Sequence, residues 1–177
     1  KSPFGCEQLY ADPRLFIAER TLVTDRLTAS RQIGVQVTGD LFGQRVSYAT
    51  GLFNGTGVNL TSNDHDKFLW AGRVSAVAWQ GTLGGQAARW SLGTDALAST
   101  DSGLTGQAAE FGFDAVPGGT KDNTFAGRRE AGGLDTQFHA GPFDLWVEYL
   151  RARFKPVVAI PSRSFDADGW YAQAGCF

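Results

Sequence analysis

The chain has 177 residues and a net charge of −2, enough for one domain and without the positive charge that a nucleic-acid partner requires. Apolar residues make up 42% and charged residues only 19%, and there are 23 Gly, 13 Phe and 5 Trp. No run of about 18 apolar residues occurs, which excludes a transmembrane helix and leaves an all-β domain, either soluble or embedded in a membrane as a barrel. The sequence holds no Met and opens at Lys1-Ser2-Pro3-Phe4, as expected of a processed export signal or of a partial chain.

Residues 1–7 read as the last part of a strand, and 9–30 as a long structured loop. The stretch from Ser30 to Gly57 is the clearest in the chain. Ile33, Val35 and Val37 alternate with Gln32, Gly34, Gln36 and Thr38, and Val46, Tyr48, Thr50 and Leu52 alternate with Arg45, Ser47, Ala49 and Gly51. A period of two predicts strands over 31–40 and 44–53, joined by a tight reversal into an antiparallel hairpin. The polar faces carry Gly, Ser, Gln and Arg rather than many Lys and Glu, a pattern that suits a water-filled interior with the apolar faces turned to lipid.

Further strands are predicted over 66–80, 86–93, 127–139, 143–154 and 169–177. In the first, Phe68, Trp70, Gly72, Val74, Ala76 and Ala78 share a face opposite Arg73 and Ser75; in the third, Leu134, Thr136 and Phe138 oppose Asp135, Gln137 and His139. Short turns at 40–44, 81–85 and 140–142 alternate with long connections, including one over 94–124. That asymmetry, together with strands of about nine to thirteen residues, matches an antiparallel up-and-down transmembrane β-barrel. Trp70, Trp79 and Trp170 fall near strand ends, where an aromatic girdle sits or where a core would hold them.

KSPFGCEQL, then IAERTLV, TASRQIGVQVTGDLF and RVSYATGLFNGTG, followed later by GPFDLWVEYLRA and SFDADGWYAQAG, resemble the phosphate-selective porin O/P family of bacterial outer-membrane proteins. The matches span both ends and most of the middle of the chain; 94–124 matches nothing in that pattern. The resemblance implies a barrel of about sixteen strands, commonly a homotrimer in the bacterial outer membrane, in contact with outer-membrane lipid and passing small anions such as phosphate by diffusion. About eight strands are counted here, so the chain reads as a segment of such a barrel.

An anion path needs cations facing the interior, and Arg suits oxyanions because its fork donates two parallel hydrogen bonds. The alternation puts Arg31, Arg45, Arg73, Arg89 and Arg129 on the polar face as pore-lining candidates, with Asp135 and Glu148 beside them. Pairing of these arginines with Asp135, Asp144 and Glu148, merely bracing the wall, is the competing reading. Glu19-Arg20 and Arg26 match the family's Glu-Arg pair; bracing of a loop is their expected role, with lining of a constriction as the alternative. Cys6 and Cys176 lie at opposite ends, so either the termini meet and form a bridge or both thiols are free. Asp166-Ala167-Asp168-Gly169 lacks the closing Glu of a calcium loop, and no metal set, cofactor motif or nucleophile–base pattern points to catalysis. Two alternatives stand beside the porin: a soluble β-sandwich carbohydrate-binding module, and a small eight-stranded membrane barrel acting as an anchor or adhesin.

Overall fold

The structure, a computed structural model, describes residues 1–10, 19–29, 31–55, 68–104, 125–156 and 164–176. Two short helices, α1 (Cys6–Leu9) and α2 (Leu22–Leu27), precede seven strands: β1 (Gly34–Leu41), β2 (Val46–Phe53), β3 (Leu69–Leu83), β4 (Gln86–Leu104), β5 (Phe125–Ala140), β6 (Phe143–Pro156) and β7 (Phe165–Cys176). They form one sheet in the order β1-β2-β3-β4-β5-β6-β7, every neighbouring pair antiparallel. The fold is therefore all-β and up-and-down, with β1 and β7 as the two edges among the described residues. Among the described residues no helix is long and apolar enough to cross a membrane, which says nothing of a β-barrel.

The period of two placed most strands within a few residues. Three expectations change. Residues 1–7 are not a strand: Pro3 lacks the N–H a ladder needs, and Gly5, at φ 81°, turns the chain into α1. The segment 94–104 is not loop but the second half of β4, paired through Ser102 with β5; its Ala, Ser and Thr side chains carry too little hydrophobic contrast to show the alternation. Among the described residues the strand count is seven rather than about eight. The hairpin connections are tight: Gly84 and Gly85, both at positive φ, make the two-residue turn from β3 to β4, which the twist of a hairpin demands.

The two faces of the sheet differ. The open face carries large apolar groups left uncovered: Val35 is 76% exposed, Leu134 62% and Trp170 68%, with Trp70, Trp79, Trp90, Leu92 and Phe143 also exposed. A bulge between Val77 and Trp79 shifts the register of β3, so that Trp79 pairs with Trp90 and joins Trp70 on this face, where strict alternation would have set it beside Arg73. The Trp90 indole N–H donates to Thr136 Oγ1 (2.8 Å) and that of Trp70 to Thr50 Oγ1 (3.1 Å), so neither exposed ring relies on water for its hydrogen bond.

The covered face lies beneath residues from the first thirty. Phe4, Leu27 and Ala29 pack with Phe53, Leu69, Ala71, Leu97, Leu150, Ala152 and Phe154 into the hydrophobic core, which Val23 closes. Helix α2 is capped by Thr21, whose hydroxyl accepts from the Thr24 N–H. Leu150 stands opposite Gly133 and Gly169; a Cβ at Gly133 would come within 2.6 Å of it, so that glycine leaves the room this side chain fills, while the space at Gly169 is taken by Val23. Leu150→Ala should therefore cost about 2–5 kcal/mol, the range for emptying a fully buried leucine site. Denaturant unfolding of the folded protein measures it, and a loss below about 1 kcal/mol would mean that the N-terminal segment laid over the sheet (the insert, described at residues 1–10 and 19–29) does not seal this core.

Candidate functional site

Between the apolar core and the short-turn end, the covered face holds a buried polar cluster. Arg73 on β3 reaches across to Asp95 on β4 and Asp135 on β5, its Nη1 lying 2.9 Å and 2.7 Å from their carboxylates. Neutral glycines make the space. A Cβ on Gly93 would lie 2.2 Å from the Asp135 carboxylate and 2.4 Å from the Arg73 guanidinium, and one on Gly133 would lie 2.4 Å from Asp95. Register explains the arrangement: Arg73 faces Asp95, and Gly93 faces Asp135, one step along the same face.

The insert completes this cluster by donating backbone N–H groups to the wall. Gly5 N–H donates to Asp95 (3.1 Å), and Cys6 and Glu7 N–H donate to Glu148 on β6 (2.6 and 3.4 Å). The Tyr171 hydroxyl donates to the same Glu148 carboxylate (2.7 Å). Glu7, itself fully buried, accepts from the Thr21 N–H and hydroxyl and from Gln173 on β7. Buried carboxylates persist only where such donors replace water. Tyr10, just after α1, packs on the sheet, its ring 4.3 Å from that of Trp146 and its hydroxyl donating to Gln137. Burial pushes the Cys6 thiol and the Tyr10 phenol up from their ordinary pKa values.

Beyond Tyr10, toward the short turns, a concavity of about 690 Å³ opens. Arg89, Ser91, His139 and Asp144 line it from the strands, with Cys6, Tyr10 and Arg73 at its floor. Arg89 is exposed there and donates to Ser91; among the described residues it pairs with no carboxylate. His139 Nδ1 lies 2.9 Å from Asp144.

The seven pore-lining candidates thus part company. Arg89 faces the concavity. Arg73, Asp135 and Glu148 are on the same face but are tied into the buried cluster, the bracing arrangement that competed with a solute contact. Arg129, 1% exposed, lies on that face too, its Nε donating to Ser99. Arg45 is exposed in the β1–β2 turn and Arg31 in the bend before β1. Arg20 donates to the Tyr10 carbonyl, so it braces the insert as expected. Cys6 is buried and Cys176 exposed, and both are free thiols. No cluster of metal ligands occurs among the described residues.

No family model, curated protein or solved structure matches this chain. The site stands on its geometry alone.

Sequence reasoning missed Asp95, Glu7, Tyr171 and Gln173. For Asp95 the signal was there: it continues the parity of Arg89, Ser91 and Gly93 once β4 is carried past residue 93. The others depend on an insert whose fold no periodicity announces. Each hydrogen bond to a buried charge contributes about 1.5–3 kcal/mol, so Glu148→Ala should loosen the insert and raise the labelling rate of Cys6 by a thiol reagent at least about tenfold, in a Cys176→Ser background. An unchanged rate would mean that the Glu148 contacts do not hold the insert down.

Proposed function

We propose that the chain forms part of the wall of a bacterial outer-membrane porin that passes small anions by passive diffusion, as its resemblance to the phosphate-selective porin O/P family implies. The observation that carries this reading is the open face. On the described strands it bears no charged residue from β1 to β4, and on β5 to β7 its charges are confined to the ends reached by the long connections. Elsewhere it is Val, Leu, Trp, Phe, Tyr, Thr, Ala and Gly, with Gln86, Ser102 and Cys176 as uncharged polar exceptions near the strand ends, and most of its large groups are exposed. An apolar surface of this extent on a soluble monomer is a liability, whereas lipid is its natural solvent. A sandwich would need a second sheet over this face, and the described residues form only one.

In this reading the covered face looks into the lumen and the insert narrows it. Arg73 adds little net field to the path, because two carboxylates offset it. Arg89 is the cation presented to solutes. A unit charge about 8 Å from a solute in water is worth about 0.5 kcal/mol, or about twofold in local anion concentration. Arg89→Gln in protein extracted from membranes should therefore lower the anion-to-cation permeability ratio by about twofold in bilayer recordings, while Arg73→Gln acts mainly on stability. An unmoved reversal potential in Arg89→Gln would remove the anion assignment.

The lipid-facing assignment has its own test. Leu134 is 62% exposed in the middle of the open face, and an arginine near the bilayer midplane costs about 2–4 kcal/mol. Leu134→Arg should destabilise the protein by that amount in lipid vesicles. A neutral effect, or a wild-type chain that stays dispersed without detergent, would overturn the membrane reading.

A further inference from the structure

Where the open face stops being apolar, it becomes charged in a compact block. Arg128, Glu130, Arg151, Arg153, Lys155 and Asp166 project from β5, β6 and β7 on adjacent register positions. Asp166 is shared, accepting from Arg151 Nη2 (2.5 Å) and from Arg153 Nε and Nη2 (2.8 and 3.0 Å). Glu130 is shared in the same way between Arg128 Nε (2.7 Å) and Lys155 Nζ (2.8 Å). Four cations thus meet two carboxylates, and the cationic side chains are 42–62% exposed. Asp168, opposite Arg151, brings the acidic groups to three, and the block keeps a positive excess.

A groove of about 520 Å³ runs from this block onto the apolar face. Gly132 forms its floor, Leu134 and Tyr149 its apolar wall, and Arg151 and Arg153 its charged mouth. A Cβ at Gly132 would meet only the Asp95 carbonyl oxygen, at 3.6 Å, so the groove is open space rather than a packing requirement.

We propose that this groove and its basic mouth bind a phosphorylated membrane lipid, the phosphate on the free donors of Arg151 and Arg153 and an acyl chain over Gly132. Charge complementarity selects the headgroup. Each guanidinium has donors left over after Asp166, and two arginines on adjacent sites present the planar forks that phosphate oxygens accept. Depth selects the chain: the charges stand at the border of the apolar face, where headgroups lie, and the groove leads from them into the hydrocarbon-facing surface.

This inference rests on the membrane reading of the open face, and the experiment separates the two. Detergent-solubilised full-length protein is titrated with phosphatidic acid, with phosphatidylcholine as the zwitterionic control, and bound lipid is counted by native mass spectrometry. Phosphatidic acid should bind preferentially. Each guanidinium near an anionic headgroup adds electrostatic attraction, so Arg151→Gln with Arg153→Gln should weaken it at least about tenfold. Gly132→Leu, which fills the groove but keeps the charges, should weaken it as well. Asp166→Asn releases both guanidiniums and should strengthen binding, whereas a purely structural ion-pair cluster would give the opposite sign. Equal binding of the two lipids, or weaker binding in Asp166→Asn, overturns the proposal while leaving the membrane reading intact. So does a fall in oligomer mass in Gly132→Leu, which would assign the groove to a second copy. A protein that needs no detergent overturns both.

Discussion

A single sheet has two faces, and the described residues bring cover for only one of them. The first thirty residues supply Phe4, Leu27 and Ala29 to the face that carries Leu69, Leu97, Leu150 and Phe154, and the hydrophobic core forms there. The other face keeps Val35, Leu52, Trp79, Leu134 and Trp170 exposed. Nearly everything else follows from that allocation. Strand alternation decides which residues meet the insert, and the bulge in β3 brings Trp79 back to the uncovered side.

The insert and the wall are also electrostatically interdependent. Asp95, Asp135, Glu148 and Glu7 crowd the covered face, all of them buried, and Arg73 pairs with Asp95 and Asp135. The remaining compensation comes from backbone N–H groups of residues 5 to 7, from Tyr171, and from Thr21 and Gln173. Lift the insert, and the carboxylates lose donors; neutralise the carboxylates, and those same N–H groups lose their acceptors. Breaking one side of such an arrangement leaves buried charge uncompensated, which is far costlier than a lost surface pair. The described part of the insert is therefore bound into the sheet's covered face rather than hinged on it.

What the sequence disclosed followed its contrast. Strand β6 alternates Phe143, Leu145, Val147 and Tyr149 with Asp144, Trp146 and Glu148, and its pattern reads directly from the residue types. The outer half of β4 alternates Ala96 and Ala98 with Asp95, Leu97 and Ser99, where one face is too small to register as apolar, and it passed for loop. The arginines were legible by face and illegible by role. Parity put Arg73 and Arg89 on the same side, but only the positions of Asp95 and Asp135 across neighbouring strands separate a neutralised guanidinium from a solvent-facing one. The insert was the least legible part, because its folding depends on Gly5, on a threonine cap and on acceptors more than a hundred residues away.

The geometry also bears on the size of the pore that the membrane reading requires. Strands lie about 4.8 Å apart, so seven of them span about 34 Å of perimeter, or about 44 Å when tilted by about 40°. Closed on themselves they would make a cylinder about 14 Å across, which wall side chains alone would fill. A helix with its side chains is about 10 Å thick, and this sheet carries two short helices and their flanking segments over one face. The insert cannot be housed in so narrow a cylinder. Edge strands β1 and β7 lead to the same requirement from the backbone side, since each unpaired N–H or C=O facing hydrocarbon costs several kcal/mol. A membrane wall built from this sheet must pair both edges with further strands, and only a barrel substantially larger than seven strands leaves room for the insert and for a solute beside Arg89.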